Sequence, residues 1–323
     1  MPLGLAYGDK YLVSLSLGGT FNIWNSADLT EPARQVDVHC MPIVSITKCP
    51  KTQSIFSIDQ NSKVARLNMA DGQSQQVFHF EQKGRALTSC AHLNGVSYLT
   101  SYQSLMKHDW ANGADLTEIF KHEFTLNALV ACGSMLAGCD SKGNVLLIDP
   151  EAKTAITQVL NEGNTSKVIC LASDGQGSLW CGDENGFVYR LDEKTLARKH
   201  EPINVGSKAT AMACGSNGLV VIGNGAGKTI WVQVSDDSCK VVSEQKYHGS
   251  FVTAVCFNGD CSNVWTCGYD GNIVHWNNAD FSVLGIVNNS HRGGPVNCGV
   301  WNDSAKMLLT GGNDALLIGW AAN

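Results

Sequence analysis

The sequence predicts an all-β fold, a propeller built from repeated four-stranded blades. Three observations predict it. A bulky apolar residue closes a short strand once every 38–45 residues, at Trp24, Leu67, Trp110, Ile148, Leu191, Trp231, Trp276 and Trp320; a period of ~40–45 residues is that of a four-stranded blade. Runs rich in Val, Ile, Thr and aromatics alternate along the chain with Gly, Asn and Asp, the pattern of strands joined by tight turns. Glycine is abundant (33) and proline scarce (7) among 323 residues, which suits many hydrogen-bonded strands, because proline cannot donate to a ladder.

Taken in order, PLGLAYG, YLVSLSL and TFNIW within residues 1–25 read as three strands, and ARQVDV (33–38) as a fourth segment. The units that follow read strand, turn, strand, turn, strand, loop, strand. The penultimate one is the clearest, with FVTAVCF (251–257), SNVWTCG (262–268), NIVHW (272–276) and FSVLGIV (281–287). The last shows three strands, VNCGVW (296–301), KMLLTGG (306–312) and LLIGW (316–320). Residues 33–38 are placed to supply its missing fourth strand, which would cover an open sheet edge. Counted this way, residues 33–323 form a seven-bladed propeller. Residues 1–25 are then a surplus three-strand partial blade, part of an eighth blade or the remnant of a preceding propeller.

A second pattern lies inside the last two units. His248, Thr266, Asp270 and Trp276 are spaced by 18, 4 and 6, and His291, Thr310, Asp314 and Trp320 by 19, 4 and 6. The spacing resembles the WD-repeat quartet, in which a His ahead of the first strand bonds the turn Asp while Ser/Thr and Trp complete the chain. A satisfied polar network of this kind can be held inside a blade at low cost. Another unit keeps only a partial register at His39, Ser57, Asn61 and Leu67. Cysteines follow the same period at Cys49, Cys90, Cys132, Cys170, Cys214, Cys256 and Cys298, once per first strand, with Cys139, Cys181 and Cys267 in second strands. They read as small, soft packing residues near the narrow centre of the ring.

LGLAYGDKYLVSLSLGGTFNIWNSADLTEP (3–32) is similar to the junction between the two propellers of the actin-interacting WD-repeat proteins, which assist cofilin in disassembling actin filaments. The similarity strengthens again over 247–281 and 290–320, where that family has its last two repeats. The resemblance implies that this chain corresponds to the C-terminal propeller with a remnant of the first. It further implies actin and cofilin as partners, and it assigns no individual actin-contacting residue.

Charge and chemistry narrow the function classes. Net charge is −6 with pI ≈ 5.8 and no basic stripe, which argues against nucleic acid as partner. No run of ~18 apolar residues marks a membrane helix, and the N-terminus lacks the pattern of a secretory signal. Thirteen cysteines without an export signal point to reduced thiols and a cytoplasmic location, possible cytoskeletal association included. Gly223-Asn-Gly-Ala-Gly-Lys-Thr229 imitates a phosphate-binding loop, but the spacing is one residue short and a strand pattern follows where a helix is required. No C-x₂-C pair exists, and Cys256, Cys261 and Cys267 fall on different strands, so no zinc site is expected. Neither a nucleophile elbow nor a carboxylate pair appears, and Asp140, Asp183 and Glu184 read as solvated turn residues. No cofactor, metal, small-molecule substrate or catalytic residue is therefore expected. The expectation is a protein-binding platform, with Tyr247, Tyr269, Arg292, Arg85 and Lys63 as loop candidates for partner contact. Two alternatives stand beside actin binding: a scaffold subunit of an unrelated complex, and an enzyme using the central channel.

Overall fold

The computed structural model describes residues 2–7, 11–16, 20–25, 34–37, 43–49, 54–59, 62–68, 74–79, 87–109, 116–160, 166–235, 238–291, 294–302, 307–312 and 317–321. Among these residues there are strands and turns but no helix. Eight antiparallel sheets follow one another along the chain, each a meander of consecutive strands; seven have four strands and the last has three. They are numbered here sheet 1 to sheet 8.

Two compact units divide the chain, essentially residues 3–165 and residues 166–323. In the first, the core described runs between sheets 3 and 4. Tyr98 and Leu105 of sheet 3 pack with Leu136, Leu146 and Ile148 of sheet 4, all buried. In the second unit the same contact recurs between successive sheets. Trp180 and Val188 of sheet 5 meet Val220, Ile222, Ile230 and Val232 of sheet 6. The opposite face of sheet 6, with Leu219, Val221 and Trp231, meets Val264, Val274 and Trp276 of sheet 7. Trp265, Cys267 and Ile273 of sheet 7 then meet Val296, Leu308 and Trp320 of sheet 8. Strand alternation explains the arrangement, because successive side chains point to opposite faces and each middle strand serves two neighbours.

Strand pairing corrects the sequence reading at two places. Arg34–Asp37 pairs with Thr20–Asn25 as the fourth strand of sheet 1, so residues 34–37 do not pair with the last sheet. The physical reason is proximity in sequence: an adjacent strand closes a short loop at far lower entropic cost than one some 280 residues away.

The second correction concerns the apolar period. In six of the eight sheets the period residue pairs with the second residue of the second strand: Trp24↔Leu12, Leu67↔Ile55, Ile148↔Leu136, Leu191↔Leu179, Trp276↔Val264 and Trp320↔Leu308. In sheet 6 that partner is Val232↔Val220, and in sheet 3 it is His108↔Ser97. Trp231 therefore faces the other side of its sheet, and Trp110 lies outside the described residues. With Val232 and His108 in place the successive steps become 43, 41, 40, 43, 41, 44 and 44 residues. A third-to-fourth-strand bulge falls one residue before this position at Arg66/Leu67, Trp231/Val232 and His275/Trp276, which supports the realigned register. A one-residue slip exchanges faces, and the larger neighbouring tryptophans mask it in the sequence.

The cysteines also sort differently in space. All seven of the periodic set lie on first strands, but they occupy different rungs: Cys132 opposes Met135, Cys214 opposes Val220, Cys256 opposes Trp265 and Cys170 opposes Gly182. The fifth position of the second strand shows why small residues recur there. A Cβ on Gly182 would stand 2.6 Å from the Ala209 Cβ and 2.7 Å from the Cys170 sulfur, while Cys139 and Cys267 take that position in sheets 4 and 7. The first strand of the next sheet packs directly onto it, leaving room for little more than a thiol.

Candidate functional site

The turn between the second and third strands of sheet 7 is built on a buried chain of hydrogen bonds. Trp276 Nε1 donates to Thr266 Oγ1 (3.0 Å), Thr266 Oγ1 lies 2.9 Å from His248 Nε2, and His248 Nδ1 lies 3.2 Å from Asp270 Oδ1. A carboxylate only accepts, so Nδ1 carries the imidazole proton; Nε2 accepts from the threonine hydroxyl, which in turn accepts from the indole. Every donor and acceptor is used and the imidazole is neutral. Burial, the largest influence, holds His248 below the usual histidine range against the opposing pull of Asp270. Burial also pushes Asp270 upward, but the Gly249 and Asn272 N–H groups and His248 together outweigh it and keep the carboxyl below its usual range. Gly249 N donates to Oδ2 (2.6 Å) and Asn272 N to Oδ1 (3.1 Å). Gly268 belongs to the same device, since a Cβ there would collide with Asp270 Oδ1 and His248 Nδ1.

In sheet 8, His291 Nε2 and Thr310 Oγ1 are 2.9 Å apart and Trp320 Nε1 donates to the same hydroxyl (2.8 Å), with His291 and Thr310 fully buried. Asp314 lies outside the described residues.

Sheets 4, 5 and 6 close the same turn with a different side chain. Asp140, Asp183 and Asn224 stand where sheet 7 has Gly268, each paired with the first residue of its first strand: Leu126↔Asp140, Val168↔Asp183, Ala209↔Asn224 and Val252↔Gly268. Asp140 Oδ1 accepts from the N–H groups of Lys142 and Asn144 (2.8 and 3.0 Å), Asp183 Oδ1 from Asn185 and Phe187 (3.0 and 2.7 Å), and Asn224 Oδ1 from Ala226 and Lys228 (3.0 and 2.9 Å). These side chains are 0, 1 and 0 % exposed. The expectation that Asp140 and Asp183 are solvated is thereby corrected: they organise the turn from inside, as Asx side chains do when they hydrogen-bond their own backbone two residues on. His122 Nε2 lies 2.9 Å from Asp140 Oδ2, a histidine–carboxylate pair that the 18-4-6 spacing does not reveal. His122 and His248 each stand four residues before the first residue of a first strand, and that offset is the signal that finds it.

The glycine-rich segment 223–229 resolves into this turn as well. Leu219–Asn224 and Lys228–Val234 are strands joined through it. Gly227 has φ +81° and runs against the His248 carbonyl, and a Cβ on Gly223 would enter Val252. Turn geometry and close packing thus account for both glycines. Among the described residues, no three His, Cys, Asp or Glu side chains converge as a metal-binding group.

Two of the partner-contact candidates are chain neighbours of quartet members. Tyr247 precedes His248 and is 49 % exposed, with one ring edge on Trp276 at 5.2 Å; Tyr269 precedes Asp270 and is 47 % exposed. Tyr269 stacks on Phe251 (4.6 Å between centroids, 23° between planes), and Lys208 Nζ sits 5.4 Å from the Phe251 centroid. The Tyr269 N–H also donates to the Phe251 carbonyl (3.0 Å). Phe251 and Lys208 were not singled out in the sequence, because their roles depend on the approach of two successive incoming loops. Arg292 and Arg85 lie outside the described residues. Lys63 opens the strand Lys63–Asn68, and its side chain is likewise outside them.

No family model matches the sequence. Over 316 residues the chain is 21 % identical to a 66 kDa stress protein of Physarum polycephalum, a match covering 96 % of this chain and 51 % of that protein. The chain thus spans about half the length of this curated relative. Among solved structures it is similar to the computationally designed Ika8 protein, with TM-score 0.83 and 19 % identity over 99 % of this chain and 96 % of that one. It is also similar to the β-propeller domain of Cps50 (Swd1) of Myceliophteria thermophila, with TM-score 0.66 and 12 % identity over 99 % and 96 %. The fold is a β-propeller. Its blades are the sheets described above, and blade 7, formed by sheet 7, carries a WD-repeat-like quartet.

Proposed function

We propose that this chain is a non-catalytic protein-interaction propeller that binds actin filaments, bare or decorated with cofilin, and promotes their disassembly in the cytoplasm. The observation that carries the interaction role is the half-exposed pair Tyr247 and Tyr269 beside the buried quartet of blade 7. Aromatic side chains held by a rigid scaffold lose little freedom on binding, and they are the side chains that anchor interfaces most often. The resemblance of residues 3–32, 247–281 and 290–320 to the actin-interacting WD-repeat proteins supports actin as the partner. The experiment is co-sedimentation of the chain with actin filaments, with and without cofilin. Pelleting that strengthens with cofilin and falls in Tyr269→Ala supports the reading. Absence of pelleting in both conditions rejects actin and leaves a propeller that serves another protein partner.

A further inference from the structure

Blade 5 buries a guanidinium. Arg190, on the strand Phe187–Asp192, is 9 % exposed, with its cationic carbon 5.9 Å from the Trp180 ring centroid. Arginine is almost never buried this deeply unless it is paired. Arg190 Nε donates to Ser178 Oγ (3.0 Å). Nη1 donates to the Ser235 carbonyl (2.6 Å) and to His200 Nε2 (3.1 Å), with the Cys239 sulfur 3.9 Å away. None of these acceptors is a carboxylate. Lys199 Nζ reaches the same Ser178 hydroxyl (3.3 Å), but it is balanced by Asp192 Oδ2 (3.5 Å). Among the described residues no carboxylate stands within ion-pair distance of Arg190, and Nη2 has no hydrogen-bond partner. A guanidinium carries five N–H donors, so two of them remain unused.

Arg190 lines a cavity of about 110 Å³ between blades 5 and 6, together with Asp174, Gln176, Cys214, Val220 and Val234. Burial, and to a smaller extent Asp174, push the Cys214 thiol up to about 12, so it supplies no negative charge there. Asp174 is held by its own turn, because its Oδ1 accepts from the Gln176 and Ser178 N–H groups (2.8 and 2.9 Å). The cavity therefore combines an uncompensated buried cation with one tethered carboxylate. A dianion would be repelled by Asp174, and a neutral ligand would leave the guanidinium charge unanswered. One oxygen of a monoanion suits the two N–H groups of a single nitrogen.

We infer that this cavity binds a small free carboxylate, of the size of formate or acetate, through Arg190 Nη2. The site is separate from the tyrosine pair of blade 7 and does not depend on which protein the propeller binds.

The probes are sodium formate and sodium acetate, titrated into the 323-residue chain at constant ionic strength against sodium chloride. Arginine side-chain Nε–H resonances of the ¹⁵N-labelled protein and its melting temperature report binding. The expected result is a saturable shift of one arginine resonance with half-saturation below about 10 mM, and a parallel rise in melting temperature. Arg190→Gln should abolish both. Asp174→Asn keeps an Oδ1 for the two turn N–H groups, so it folds, and it should tighten binding about threefold or more by deleting a like charge. Asp236 and Asp237 follow Ser235 and lie outside the described residues; replacing both with Asn should change the affinity less than about twofold.

Four results overturn the inference. They are no saturable effect beyond that of chloride up to about 100 mM, undiminished binding by Arg190→Gln, no tightening in Asp174→Asn, and a several-fold gain when Asp236 and Asp237 are replaced. The last would make one of those carboxylates the counterion of Arg190. Should Arg190→Gln fail to fold, the sign of the Asp174→Asn effect still decides.

Discussion

Blades 6 and 7 solve one turn in two ways. In blade 7 the residue that ends the second strand is Gly268, and the polar work is done by a histidine from the incoming loop and an aspartate two residues on. In blade 6 the same position holds Asn224, whose Oδ1 receives two turn N–H groups while its Nδ2 donates to the Val205 carbonyl (2.6 Å). Val205 stands four residues before its first strand, as His248 does. Both turns end with a glycine at φ +81°, and its N–H donates back to the strand-end carbonyl (3.1 and 3.2 Å). Backbone geometry is therefore common to both, and the side-chain device filling the cavity is interchangeable in kind but not residue by residue. One device ties the turn to a threonine and a tryptophan on two strands; the other uses one asparagine to tie the turn to the backbone of the incoming loop.

The comparison breaks most sharply at Gly268. Gly268→Asn places the blade 6 device on top of the blade 7 device, and the collision with Asp270 and His248 should cost about 3–5 kcal/mol, as overpacking combined with a broken buried network does. Urea unfolding measures it. The double variant Gly268→Asn, Asp270→Ala should recover part of that loss, and no recovery would show that the two devices are not alternatives for one space. Next in size, Asn224→Ala should cost about 2–4 kcal/mol, by stranding the Ala226 and Lys228 N–H groups and the Val205 carbonyl. An effect no larger than that of a surface substitution would overturn the assignment.

Asp270→Ala should cost about 1–3 kcal/mol, since it leaves the buried His248 Nδ1–H and two backbone donors without their acceptor. Its expected cost falls below that of Asn224→Ala because water reaches Asp270 more readily: its side chain is 13 % exposed while Asn224 is fully buried.

The smallest expected effect is on pH dependence. His248 titrates near 6.5 when unfolded and lower when folded, because burial disfavours its charge. Protonation thus favours the unfolded chain: the stabilisation is present above about pH 6.5 and is lost as pH falls through the folded value. His275 shifts downward for the same reason. The melting temperature should therefore fall between about pH 7 and 5, and the fall should be shallower in His248→Asn. Equal slopes in the two proteins would show that His248 is not held neutral. Blade 6 has no histidine in the device at Asn224, so local exchange at its turn should not follow this slope.

Much of this was legible in the sequence. The four-stranded repeat and the quartet spacing in the last two units were both visible, because strand period and turn chemistry are local properties. Asn224 and Asp140 were harder to read. A polar residue ending a strand looks the same whether water or a buried turn receives it, and only the incoming loop of the same blade decides. Trp231 misled for a related reason: bulk marks a buried residue but does not say which face of the sheet buries it.

By itself, then, the chain determined that it would fold as repeated antiparallel blades, since alternation, glycine-bounded turns and a ~40-residue period admit few other packings. Tertiary structure alone decided which neighbour each face meets and which strand pairs with residues 34–37. It also placed Tyr269 and Lys208 against Phe251. Those outcomes depend on contacts between segments far apart in sequence, where the free energy of closing one loop competes with that of closing another.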